Sequence, residues 1–268
     1  MIVREIIDDI ISRCGGVKFE KTCDQIIFGS EDMEVSGVVT TFMATAEVIK
    51  KTIEIGANFI ITHEPTYYTG TDRLDWLEND PVYLKKKKFL EENEITIWRF
   101  HDHMHAGTTD LIYQGLINEL GWEDYLVKDL EFPHTYEIPE ISLQELVEFF
   151  KRKFKMDTIR IIGSPDMKLE KVGILVGGGS MGLGTEEMPM NFMREHDIDV
   201  MVCGDIIEWT LTPYVRDAIS FEMNKAMIIL GHERSEEWGM KYLADWLQPT
   251  LGKITATFID AEEPFKYL

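Results

Sequence analysis

Short apolar runs that end in polar or glycine-bearing turns alternate along this chain with segments whose apolar residues recur every three or four positions. The first pattern predicts buried strands and the second amphipathic helices. Ile6, Ile7, Ile10 and Ile11 give Ile2–Ile11 a helical stripe, which Gly15-Gly16 ends. Ile26-Ile27-Phe28 lies in a loop between Asp24 and Gly29, and Val35–Thr41 reads as a strand. Thr45 caps a helix carrying Val48, Ile49 and Ile53 inward, with Gly56 at its end. Phe59-Ile60-Ile61 follows without a polar break, the mark of a parallel strand buried on both faces, and Pro65 stops it. Asp80-Pro81 opens another helix that returns to the strand Ile95–Trp98, so the strand-helix-strand unit occurs twice in succession.

Thr109–Leu120 reads as a helix closed by Gly121. From Trp122 to Pro139 the periodicity fades, the composition turns acidic and two prolines enter, which predicts a connection between domains with its boundary near Asp129. Beyond it, Ser142 to Glu145 matches a capping box for a helix with Leu146, Val147, Phe150 and Phe154 on one face. Strands are expected at Thr158–Gly163, Lys171–Gly177, Asp199–Asp205 with its terminal carboxylate, Ala226–Leu230 and Lys253–Asp260. Helices are expected at Pro213–Met223 and after Ser235, the latter with Met240, Leu243, Ala244 and Leu247 inward. The expected fold class is α/β: two α/β domains with mostly parallel sheets, residues 1–128 and 129–268, with the 226–268 segment able to pack back onto the first. A length of 268 residues with 44% hydrophobic side chains supports a core of that size.

The formal net charge of −21 argues against polymeric nucleic acid as a partner, since such binding rests on lysine and arginine neutralising phosphates. The one basic run, Lys85–Lys88, reads as a solvated helix face. No apolar run is long enough to span a bilayer, and Met1–Arg13 carries acids on an amphipathic spacing rather than a signal-peptide pattern, so no membrane partner and a cytoplasmic location are expected. Cys14, Cys23 and Cys203 form no Cys-x-x-Cys pair, which speaks against disulfides and a thiolate zinc site.

Chemistry concentrates at three strand ends. His63-Glu64 follows the first buried strand, His101-Asp102-His103-Met104-His105 follows the Ile95 strand, and His232 with Glu236 follows Ala226–Leu230. Five of the seven histidines sit there, at the carboxyl ends where open α/β sheets bind ligands. Gly177–Gly184 also contains Gly-x-Gly-x-x-Gly, with Asp199 or Asp205 near the spacing of a ribose-binding acid, but a tight strand-to-helix turn satisfies the same pattern.

His63-Glu64-Pro65, the His101–His105 cluster, and Gly231-His232 with Ser235-Glu236 stand in an order that resembles the NIF-three family, proteins related to the NGG-one-interacting factor and often labelled GTP cyclohydrolase I type 2-like. The likeness extends to Asp24–Gly29, Gly56-Ala57-Asn58, Gly204-Asp205-Ile206 and Pro264-Phe265. It implies a dinuclear metal site in a cleft between two α/β domains, and commonly a toroidal hexamer built from dimers. Carried over position by position, the ligands fall on His63, Glu64, His105, His232 and Glu236, with His101 at the leading histidine of the family's second block. Two positions depart from the family pattern, histidine to glutamate at 64 and aspartate to histidine at 105, and the exchange is reciprocal: three imidazoles and two carboxylates remain.

Such a set suits two divalent ions of zinc, iron or manganese. Paired ions can share a carboxylate, for which Glu236 is the candidate, and lower the pKa of a bound water. His101, Asp102 and His103 are candidates for orienting ligands or moving a proton, and Glu233 and Glu237 read as solvated helix charges. The expected function is a metal-dependent hydrolase of a small, nucleotide-like or phosphorylated substrate. The alternatives are a non-catalytic metal-binding regulatory or scaffold protein and, on the glycine-rich loop alone, a dinucleotide-binding enzyme.

Overall fold

A computed structural model describes residues 1–16, 18–127 and 133–268. In chain order its elements are α1 (Val3–Arg13), β1 (Ile26–Phe28), β2 (Val38–Thr41), α2 (Ala46–Glu54), β3 (Phe59–Thr62), α3 (Pro81–Glu92), β4 (Thr96–Arg99), α4 (Asp102–Ala106) and α5 (Leu111–Leu120). There follow β5 (His134–Ser142), α6 (Leu143–Phe154), β6 (Arg160–Ile162), β7 (Lys168–Leu175), α7 (Met188–Glu195), β8 (Val200–Cys203) and α8 (Leu211–Ser220). The last elements are β9 (Ala226–Ile229), α9 (His232–Leu247) and β10 (Ala256–Phe258). The chain forms two compact units, Met1–Gly115 with Glu237–Glu262, and Leu116–Glu236 with Glu263–Leu268. The boundary expected near Asp129 lies outside the described residues.

In the first unit the strand order is β1-β4-β3-β2-β10, all parallel except the edge strand β1. β3 is central, and Phe59, Ile60 and Ile61 are fully buried, as an uninterrupted apolar run requires. Val48 and Ile49 of α2 and Leu90 of α3 pack on Val39, Ile60 and Ile97 of the sheet. The Thr45 hydroxyl accepts from the Val48 amide, and the Asp80 carboxylate accepts from the amides of Val82 and Tyr83. Gly115 and Gly239 let α5 meet the 237–247 part of α9 backbone to backbone; a Cβ on Gly239 would stand 2.5 Å from Ile112 Cα. Ile26–Phe28, expected as loop, pairs antiparallel with β4 and is half-buried, too short to show a period of its own.

The second unit carries the order β5-β7-β8-β9-β6, parallel at its centre with antiparallel strands at both edges. β5 occupies residues read from the sequence as the end of an aperiodic connection. The reason is Pro139: the β5–β7 register shifts between Glu137 and Ile141, so alternation breaks where a proline is accommodated on an edge strand. The α6 capping box is formed, with the Ser142 hydroxyl accepting from the Glu145 amide and the Glu145 carboxylate from the Ser142 amide. Among the described residues no helix is long and apolar enough to cross a membrane.

Candidate metal centre

In the first unit, His63 directly follows β3 and His101 stands two residues past the end of β4, and the strands' parallel register sets Thr62 beside Arg99. His63 is fully buried. Its Nδ1 lies 3.2 Å from the Phe100 carbonyl, which can only accept, so Nδ1 carries the proton and Nε2 presents a lone pair. His105 is set the same way, with Nδ1 2.9 Å from the Asp110 carboxylate. The two Nε2 atoms then face each other at 3.2 Å, acceptor against acceptor unless a proton or cation intervenes.

His101 stacks on His63 with ring centroids 4.5 Å apart, and each of His63, His101 and His105 brings a ligand atom within 4.8 Å of the others. His101 Nδ1 lies 3.0 Å from Asp102, and its Nε2 is 3.8 Å from Glu64. Burial raises the Asp102 carboxyl, but hydrogen bonds from the Cys23 amide, the Thr22 hydroxyl and His101 outweigh it and hold the group well below the usual carboxylate range. His103 turns elsewhere, its Nδ1 2.7 Å from Asp24. Asp24 also accepts from the amides of His101, Asp102 and His103, capping α4 and pinning the cluster to the loop before β1.

Arg99, 4% exposed, ties the end of β3. Its guanidinium donates to the His63 and Gly70 carbonyls and pairs with Glu64 at 3.4 Å and Asp72 at 3.8 Å. The Lys86 ammonium donates to the Thr66 carbonyl at 2.7 Å, and burial pushes its pKa down to about 8. Between about 8 and 10.5 the folded chain releases this proton before the unfolded chain does, so the stability that Lys86 contributes rises with pH through that window. Urea midpoints of Lys86→Met relative to the wild type should therefore fall as pH rises from 8 to 10.5.

In the second unit, His232 opens α9 and Glu236 lies one turn on, 4% exposed. His232 Nδ1 is 2.7 Å from Asp205, which leaves Nε2 facing the Glu236 carboxylate at 3.0 Å, again acceptor against acceptor unless a proton or cation intervenes. The Ser235 hydroxyl donates to the His232 carbonyl and accepts from the Gly177 amide. Gly177 has φ of +50°, and a Cβ there would collide with the Glu236 carboxylate and lie 2.8 Å from His232 Nε2.

The glycine-rich stretch therefore makes room for this pair; it continues into a 3₁₀ turn at Gly179–Met181, and the next α-helix begins only at Met188. The acids weighed for a ribose are used otherwise, Asp205 on His232 and Asp199 on the amides of Glu170 and Lys171. Glu233 and Glu237, expected to be solvated, are buried because α9 is enclosed throughout 233–240. Arg99 and Asp110 were not singled out as site residues, and Asp24 entered only as the start of a block shared with the family, since their partners are distant along the chain or met only through a turn; the Asp110–Tyr113 spacing of a helix cap was the one available hint for Asp110.

The model of the Duf34/NIF3 (NGG1p interacting factor 3) family matches residues 5–264. The chain belongs to the DUF34/NIF3 family. A family relative from Clostridium acetobutylicum, named GTP cyclohydrolase 1 type 2 homolog, is 26% identical over 238 residues, covering 85% of this chain and 82% of that protein. Among solved structures, a Bacillus cereus protein related to NIF3 superposes with a TM-score of 0.76 at 16% identity, covering 100% of this chain and 99% of the other. A Staphylococcus aureus hypothetical protein gives 0.73 at 19% identity, with coverage of 100% and 99%. At these identities the structures show that the DUF34/NIF3 fold is shared, which accords with the two five-stranded α/β sheets described above.

Proposed function

We propose that this DUF34/NIF3 protein is a dinuclear metal protein that hydrolyses a small, phosphorylated or nucleotide-like substrate. His63, Glu64 and His105 of the first unit and His232 and Glu236 of the second are assigned as ligands to two divalent ions of zinc, iron or manganese. The observation that carries the reading is the way each ligand imidazole is turned: Nδ1 is held by Phe100, Asp110 or Asp205, so that Nε2 faces another acceptor. Nitrogen and oxygen donors without thiolate fit these metals.

When bound, the ions would supply Lewis-acid activation of water. The chain's own residues then have separate tasks. Asp110 and Asp205 fix the tautomers of His105 and His232. Arg99 holds Glu64 at the end of β3. His101, with Nδ1 on a firmly ionised Asp102, keeps Nε2 available to take and return a proton. The C. acetobutylicum relative's name is in keeping with hydrolysis of a heterocycle. A cytoplasmic homo-oligomer, a hexamer by the habit of the family, belongs to the same reading.

Elemental mass spectrometry of protein purified without chelator tests it. About two ions per chain are expected in the wild type, with a sharp fall in both His63→Ala and His232→Ala. Wild-type protein that stays metal-free after reconstitution with zinc, manganese or iron would remove the proposal.

A further inference from the structure

The first unit holds a cavity of about 990 Å³, at the upper end of the range that small-molecule sites occupy. Glu64 and the residues after it line one part, and the first two turns of α3 line another. Met43, Tyr68, Val82 and Phe89 supply apolar and aromatic wall. Tyr68 stands in the left-handed region with φ of +63°, unusual for a bulky residue, and its side chain is half-exposed.

The charge of this wall is opposite to that of the chain. Lys50, Lys85 and Lys86 line the cavity against a single carboxylate, Glu64, in a protein of formal net charge −21. Lys50 is shared with Glu47 at 2.5 Å. The basic run of α3 divides in two. Lys87 and Lys88 pair with Glu91 and Glu92 four residues on, at 3.8 and 3.5 Å, as a solvated face does. The residues four on from Lys85 and Lys86 are Phe89 and Leu90, so the helix gives these two no carboxylate, and both line the cavity. Lys86 uses one of its three donors on the Thr66 carbonyl, which leaves two for a ligand.

We propose that this cavity binds a small aryl or heteroaryl phosphate, its ring against Tyr68 and Phe89, its phosphate on Lys85 and Lys86, and its far end beside Glu64. A phosphate monoester carries about −1.5 to −2 at pH 7 and matches two ammonium groups, while the aromatic wall distinguishes it from inorganic phosphate. The assignment names the substrate class for the metal-dependent hydrolase above and rests on that reading for chemistry, though not for binding.

Calorimetric titration with phenyl phosphate, and with inorganic phosphate as the ring-free probe, tests it on wild type, Lys85→Glu and Val82→Trp. Lys85 and Val82 are both exposed positions of α3, so the variants are expected to fold. Phenyl phosphate should bind tighter than inorganic phosphate, and each variant should raise its Kd by about 10-fold or more with metal content unchanged. Equal binding of the two probes, or variants that bind like the wild type, overturns the pocket assignment. Metal-loaded protein that ignores phenyl phosphate defeats this inference and leaves the metal centre standing. Lys85-dependent binding by a protein that takes up no metal does the reverse.

Discussion

Arg99→Met is expected to lower the unfolding free energy by about 3–5 kcal/mol, the usual cost of removing one partner from a buried charge network. Arg99 sits between two carboxylates, Glu64 and Asp72, and donates to the backbone at His63 and Gly70, so its loss strips four acceptors at once. Asp72 is directly affected, since burial already raises its carboxyl above the ordinary value and Arg99 is among the groups that oppose this. Denaturant unfolding of Arg99→Met, Asp72→Asn and the double variant separates the parts. Non-additivity of more than about 1 kcal/mol is expected, with the double variant recovering much of the loss. A single variant within about 0.5 kcal/mol of the wild type would show that the guanidinium does not hold the end of β3.

With His232 and Glu236 as the proposed ligands, Gly177→Ala is expected to cost metal affinity as well as stability. The left-handed backbone at +50° adds roughly 1–2 kcal/mol of strain for a residue with a Cβ. The methyl group also meets the Glu236 carboxylate and His232 Nε2, so one of the two must move from its place. Displacing a held ligand typically weakens metal binding by about 10–100-fold. Gly184→Ala is the matched control: its φ is +93°, but nothing lies within 4 Å of a Cβ there. It should lose stability and match the wild type in metal binding. Metal titrations giving the same affinity for both variants would show that the space at Gly177 is unrelated to the metal pair.

Much of the fold was legible because its central strands are uniform. Phe59–Ile61, Val200–Cys203 and Ala226–Ile229 are apolar along their length and buried on both sides, and each leads to a residue of the site or to its orienting acid. The edges were harder to read. β1 is three residues long, and β5 has its alternation broken at a register shift beside Pro139. The histidines were legible because they gather at strand ends, and two of the acids that turn them, Asp102 and Asp205, stood out with them, whereas the other groups that hold them did not. Asp24 acts on His103 from 79 positions away, and the Phe100 carbonyl that fixes His63 is a backbone atom no residue type announces. The glycines at 177–184 drew attention as a phosphate loop, while what Gly177 does is leave out a side chain. Lys85–Lys88 looked uniform because a charge run does not reveal which members have acids one turn on.

The acceptor network around α4 also acts on a thiol. Cys23 lies against Asp102, with Sγ 3.4 Å from the carboxylate, and burial with that negative neighbour lifts its pKa to about 12 against the opposing pull of Arg99. Burial likewise lifts Cys14 to about 11 and Cys203 to about 12. At neutral pH all three are almost wholly protonated, and a protonated thiol is a poor nucleophile. The cysteines of the folded protein should therefore resist alkylation and peroxide without added reductant. A maleimide dye will label it only as it opens, which makes the native cysteines a built-in clock for unfolding.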